Sequence, residues 1–188
     1  MTARVAALHL SSEYTFSKAS SDSIDVVAGM GVVGDVHFGA TVRHRSRVAA
    51  DPTQPNLRQV HLIPGELFSE LAANGFSVQP GDLGENVTTE GVDLYALATG
   101  TLLRIGDGVL LCVTGLRNPC GQIEGFQTGL LRQVAQPASE AEPGHNGGDG
   151  IKRSAGVMAV VVQGGTIDVG ATIAVQFPPT PHAPLVRV

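Results

Sequence analysis

At 188 residues, with 43% hydrophobic and 15% charged residues, the chain is long and apolar enough for one domain with a real core rather than a disordered segment. Its net charge of −5 argues against a general nucleic-acid binder, which carries a basic face. No signal-peptide-like apolar segment opens the sequence, and the longest apolar runs, such as Val157 to Val162, are far too short to span a membrane, so the chain reads as cytoplasmic with no membrane partner.

In chain order, Arg4 to Leu10 reads as a first strand and Ser23 to Ala28 as a second, broken by Gly29 and Gly31. Arg58 to Ile63 is a strand running into a helix over Pro64 to Asn74; proline suits a first helical turn and Asn74-Gly75 is a stop signal. Glu85 to Thr89 is a short strand. Thr101 to Ile105 and Val109 to Thr114 flank Gly106-Asp107-Gly108, a hairpin signal. Gln127 to Gln136 is expected to be a second helix, ended by Pro137. Residues 137–150 read as an exposed, flexible loop. Strands return at Val157 to Gln163, Thr166 to Val169 and Thr172 to Phe177, and residues 178–188 form an extended tail. Many short strands, few helices and abundant glycine point to a mainly β, α+β fold: a closed or partly closed barrel in a single domain over residues 1–188.

Chemistry concentrates at four places. Cys120 lies in Arg117-Asn118-Pro119-Cys120-Gly121, where a cation favours thiolate and proline and glycine shape an approachable turn. Cys112, inside Leu110-Leu111-Cys112-Val113, is expected in the core. The two cysteines form no C-x-x-C pair, which leaves a zinc site without support, and a disulfide between them is disfavoured in the cytoplasm. Second, the turn Gly81 to Thr89 carries Asn86 and Thr88, small hydrogen-bonding groups suited to a polar heterocycle or phosphate, or to their own backbone. Third, Arg43, His44, Arg45, Arg47 and Arg58 place four of twelve Lys and Arg residues within sixteen positions; arginine forks suit phosphate and carboxylate, although a solvated loop also explains the first three arginines. Fourth, Asp35 and His37 lie two apart and share a face if the chain is extended; the pair reads as acid–base or ligand groups, or as a commonplace Asp-x-His. No Walker loop or dinucleotide fingerprint is present, so no nucleotide cofactor is expected.

Together the segments Gly31-Val32-Val33-Gly34-Asp35-Val36-His37, Arg58-Gln59-Val60-His61-Leu62-Ile63, Gly81-Asp82-Leu83-Gly84-Glu85-Asn86-Val87-Thr88, Gly100 to Gly106 and Arg117-Asn118-Pro119-Cys120 resemble the MOSC family, named for the C-terminal domain of molybdenum cofactor sulfurases. Ala155-Gly156-Val157-Met158 and Gly164-Gly165 resemble its small stand-alone bacterial members, and the likeness spans about residues 20–177. The resemblance implies a barrel-like fold and one essential cysteine, matched by Cys120, which either ligates molybdenum of a bound molybdopterin or carries sulfur as a persulfide. On the first reading Arg58 and Arg43 hold the pterin phosphate, while Asn86, Thr88, Arg117 and Asn118 orient the ring, with Asp35 and His37 also in the cofactor set; the substrate is a small N-hydroxylated compound and an external redox partner supplies electrons. On the second, a cysteine desulfurase loads Cys120 for sulfur transfer. A third reading is a binding barrel without chemistry. The family's pyridoxal-phosphate lyase domain has no counterpart in this sequence, so no PLP is expected, and the His-Gly-Gly segment of other stand-alone members is absent from Arg43 to Asn56.

Overall fold

A computed structural model describes residues 2–138 and 149–188. The backbone is mainly β. One eight-stranded sheet runs in the order β13–β7–β8–β11–β5–β6–β1–β2, built from β1 (Arg4–Leu10), β2 (Ala19–Ser21), β5 (Val60–Pro64), β6 (Val87–Glu90), β7 (Leu102–Ile105), β8 (Val109–Leu116), β11 (Val157–Gln163) and β13 (Ile173–Gln176). The sheet curls into a partly closed barrel. Its edge strands β13 and β2 do not pair, but Val5 N donates to Ala171 O at 2.9 Å and Ile173 N to Ala3 O at 2.8 Å, drawing the start of β1 against β13. A second sheet, β12–β3–β4, joins Gly165–Asp168, Ser23–Val27 and Gly31–Val32. A ribbon of β9 (Ala135–Pro137) and β10 (Ile151–Arg153) stands apart.

Burial follows the alternation in the sequence. Along β8, Val109, Leu111 and Val113 point inward and Leu110, Cys112 and Thr114 outward, the period-2 pattern of a half-covered strand. β5 is buried along its whole length and pairs in parallel with β6. Adjacent parallel strands need a crossover, and α2 (Glu66–Ala73) is part of it, burying Leu67, Phe68 and Leu71. Val5, Leu8, Val60, Leu62, Leu103, Leu111 and Val157 belong to the barrel's core, while a second core lies under α2, α3 (Gly121–Phe126) and α4 (Leu130–Val134), around Ile63, Leu83, Ile123 and Leu130.

Several expectations need correction. The helix expected over Gln127 to Gln136 is shorter, α4 alone, because Gly129 at φ +86° caps its start and the chain turns to strand at Ala135; α3 lies just before the expected range. Another short helix, α1 (Arg45–Ala50), occupies the basic loop. Cys112 is not in the core: it sits half-buried on the outer face of β8, opposite Leu102 and Val160. The end of the tail packs against the barrel. Leu185 is buried, Leu116 N donates to Val186 O at 2.8 Å, and Val188 N to Leu116 O at 3.2 Å. Of the flexible loop expected over 137–150, residues 139–148 lie outside the described residues. No helix among the described residues is long and apolar enough to cross a membrane.

Candidate functional site

One cleft of about 680 Å³ opens at the start of β5 and the end of β8, beneath the segments 14–18 and 37–58 and beside the start of α3. Cys120, Arg58, Arg117, Asn118, Arg43, His37 and Asn86 all line it. Four segments far apart in sequence thus meet at one place. Thr88 does not line the cleft. It is fully buried behind the wall, with Oγ1 donating to Glu85 Oε1 at 3.1 Å. Asp35 stands behind the wall as well, holding groups that do line it.

The lining is strongly cationic. Lys18, Arg43, Arg45, Arg47, Arg58, Arg117 and Arg187 reach it, seven of the chain's twelve Lys and Arg residues, and no Asp or Glu lines it among the described residues. Arg117 follows β8 directly, and its backbone N–H donates to Gly156 O at 2.9 Å. It is 8% exposed, and its Nη1 has no hydrogen-bond partner. Burial lowers its pKa, partly offset by the charge of a Cys120 thiolate and by Glu85. Arg58 is pushed down to about 10 by burial, then by the Arg117 and Arg47 charges, against the opposing pull of Cys120. These are crowded cations with too little negative charge nearby, a condition that an anionic ligand relieves.

Cys120 is half-buried at the residue preceding α3, and Sγ lies 3.6 Å from Gln122 Oε1. Asn118 also lines the cleft, and its Oδ1 accepts from Arg153 Nε at 3.4 Å. Arg43 spreads its guanidinium over Gly39, where a Cβ would collide with it, and its carbonyl accepts from the Tyr14 hydroxyl at 3.0 Å.

The other wall is organised around Asp35. Its carboxylate accepts from Lys18 Nζ at 2.6 Å, His37 Nδ1 at 3.1 Å, the His37 backbone N–H at 3.0 Å and Asn86 Nδ2 at 3.0 Å. Burial alone would raise its pKa, but the His37 and Lys18 contacts carry it well below the usual carboxylate range. Lys18 is itself buried and its pKa lowered by burial, with Asp35 pulling the other way. Asn86 spends its whole amide on the fold. Oδ1 accepts from His61 N at 3.1 Å, and Nδ2 donates to His9 O at 3.2 Å as well as to Asp35. It frames the cleft rather than offering free groups to it. Asp35 and His37 lie in a turn, not on a strand, so side-chain and backbone hydrogen bonds join them, not strand alternation.

His61, Lys18 and Arg187 line the cleft and were not singled out in the sequence. His61 Nε2 bonds Ala155 O at 2.8 Å; burial and then the Arg117 charge keep its pKa well below the ordinary histidine value. Gly156, at φ +98°, leaves room for that ring, which a Cβ there would strike. Met158 also reaches the cleft, and β11 carries a register shift between Met158 and Ala159, a bulge of the kind that re-aims side chains near sites.

The MOSC domain family model matches residues 33–174, three quarters of the chain and every segment of this cleft except 14–18 and Arg187. The chain belongs to the MOSC family. Among solved structures this MOSC chain is similar to the YuaD protein from Bacillus subtilis, at 24% identity and a TM-score of 0.74, covering 95% of this chain and 98% of that one. It is also similar to YiiM from Geobacillus stearothermophilus (17%, TM-score 0.66, covering 97% and 79%) and YiiM from Escherichia coli (17%, 0.60, 96% and 73%). At these identities the likeness concerns the fold. A comparison with curated proteins found no match.

Proposed function

We propose that the cleft binds molybdopterin-type molybdenum cofactor, with the Cys120 thiolate as a metal ligand, and that the loaded protein reduces small N-hydroxylated compounds with electrons from an external donor. The observation that carries this reading is the lining itself: among the described residues, seven cations, no carboxylate and one accessible thiol, with Arg117 Nη1 buried and unpartnered. The residues fit the group. Arg58 and Arg117 suit a phosphate monoester, for which arginine forks are built, and Arg43 extends that field. Cys120 supplies a soft donor of the kind molybdenum takes. Among the described residues no three His, Cys, Asp or Glu gather to hold a bare ion, so a lone thiolate suits a metal that arrives already chelated. Asn118 would orient the ring system; Asn86 and Asp35 would shape the cleft from behind, and Thr88 would lie too deep to touch a ligand. When bound, the cofactor supplies a redox-active metal. The cations line a recess rather than a broad face, which favours a small anion over nucleic acid. The free thiols support a reducing, cytoplasmic setting for this function.

A second reading rests on the half-exposed setting of Cys120. A partner desulfurase could reach it, and its thiolate would take the outer sulfur of the donor's persulfide while the donor cysteine leaves as thiolate. One preparation separates the readings: protein purified from cells that make the cofactor, analysed for molybdenum and for cyanide-releasable sulfur. Stoichiometric molybdenum that is lost on Cys120→Ala is the expected result. Releasable sulfur without molybdenum establishes the carrier reading instead. No change in either on Cys120→Ala leaves a non-catalytic binding barrel.

A further inference from the structure

The buried ion pair behind the cleft is more than a brace. We infer that His37 is the proton donor of the cleft, acting through Nε2, with Asp35 and Lys18 as its positioning residues. This rests on the reductive reading above. Asp35 is ionised and accepts from His37 Nδ1 at 3.1 Å and from the backbone N–H of the same residue at 3.0 Å. An ionised carboxylate accepts only, so Nδ1 carries a hydrogen, and the neutral ring must then keep Nε2 bare. Two bonds from one residue to one oxygen also fix the ring's direction. Lys18 Nζ, 2.6 Å from the other carboxylate oxygen, balances the charge of Asp35, so the carboxylate remains ionised whether or not His37 carries a second proton.

The ring's far edge belongs to the cleft. The His37 side chain is 30% exposed on the cleft wall, and Nε2 has no hydrogen bond among the described residues. Its neighbours come from three segments: Tyr14 edge-on at 6.2 Å, His44 stacked at 6.4 Å, and Asp35 beneath. Behind it, burial first and then the Arg58, His37, Arg47 and Arg117 charges lower the pKa of His44. By contrast, His61 spends its Nε2 on Ala155 O. His37 instead leaves one nitrogen toward the cleft and one on a buried acid, the arrangement by which a carboxylate orients an imidazole for proton transfer.

Reduction of an N–OH group needs such a donor. Breaking the N–O bond takes up two electrons and two protons and yields an N–H bond and water. An external reductant of the flavin or iron–sulfur class supplies the electrons. The imidazolium gives its Nε2 proton to the departing oxygen, the second proton reaches nitrogen from solvent, and the neutral ring is recharged through its exposed edge.

Two measurements test this. In metal-free protein, long-range proton–nitrogen spectra at pH 8 should show His37 as the Nδ1–H tautomer with Nε2 bare; the opposite tautomer overturns the inference. In molybdenum-loaded protein with a chemical reductant and hydroxylamine as probe, His37→Ala should lower kcat by about 100-fold to 10,000-fold. KM and metal content should stay close to wild type, and added imidazole should restore part of kcat. Unchanged kcat, or a loss that imidazole does not relieve while His37→Gln recovers it, overturns the donor role alone. Wild-type protein that holds molybdenum yet reduces nothing overturns the reductive reading itself, a separate failure.

Discussion

The two walls of the cleft use the same kinds of side chain to opposite ends. On the Asp35 wall, Lys18 and His37 meet a carboxylate that takes four short contacts, and Asn86 closes the network. On the Cys120 wall, Arg58 and Arg117 crowd one another, and among the described residues no carboxylate lines the cleft and Arg117 Nη1 has no partner. The first wall is electrostatically complete before any ligand arrives. The second is incomplete, and its unspent charge marks where an anion would bind. Compensated charge holds the fold and its site in shape; uncompensated charge is a site's stored capacity to bind.

The comparison breaks most visibly if the complete wall is cut. Replacing Asp35 with Asn leaves the buried Lys18 ammonium without its counter-charge, and Lys18→Met leaves the carboxylate without its own. Removing one partner of a buried pair costs about 3–5 kcal/mol. Each single variant should lose that much in urea denaturation, while the double variant should recover part of it. Equal losses for the singles and the double would mean that the ammonium is not paired as described.

Acid provides the next test. His61 is buried and held neutral, its folded pKa well below that of an unfolded histidine. Below about pH 6.5 the unfolded chain therefore binds a proton that the folded chain refuses, and stability falls with pH at up to about 1.4 kcal/mol per unit for that group. Asp35 adds a second limb: with its folded pKa depressed, its contribution is full above about pH 4 and is lost as pH falls further. His61→Gln, which can still donate to Ala155 O, should flatten the upper limb in part, because burial lowers the pKa of His9 and His44 as well, and leave the lower limb unchanged. A single limb beginning below pH 4 would contradict the neutral His61.

These two walls were unequally legible in the sequence. Motif residues on both walls, Cys120, Arg58, Arg117 and Asp35-x-His37, were visible because glycine, proline and charge cluster around them. Strand limits at Arg4–Leu10 and Val157–Gln163 followed directly from short apolar, β-branched-rich runs. Lys18 was hidden: it stands alone among serines, and nothing local says that the chain folds it 17 positions forward onto Asp35. His61 was hidden because its neighbours are apolar and its partner, Ala155, is 94 residues away. Thr88 shared a motif with Asn86 but not its location: Thr88 turns to Glu85 while Asn86 reaches the cleft wall. Long-range pairing, not local pattern, placed Lys18 and His61.

The incomplete wall makes a smaller and more pointed prediction. Arg117→Met removes a buried cation with an unpartnered nitrogen and keeps an unbranched stem. Titration calorimetry with pyrophosphate should show affinity falling about tenfold or more, the equivalent of about 1.4 kcal/mol. Stability in urea should hold steady or rise, because an uncompensated buried charge is lost. Loss of stability with affinity intact would place Arg117 among the structural residues of the opposite wall.

The smallest effect belongs to Cys112, and it separates neighbourhood from exposure. Both thiols are half-buried, so accessibility alone does not distinguish them. Cys112 lies on the outer face of β8 between Leu102 and Val160, and burial raises its pKa. Cys120 lies in a cleft with Arg58 and Arg117. Cys112→Ala should cost under about 1 kcal/mol, since an outward-facing side chain leaves no closed cavity. Pyrophosphate affinity and metal content should be unchanged, and alkylation of the variant at pH 7 should proceed at nearly the wild-type rate, because the reacting thiol is Cys120. A variant that alkylates far more slowly would show that half-exposure, not the arginines of the incomplete wall, governs which sulfur reacts.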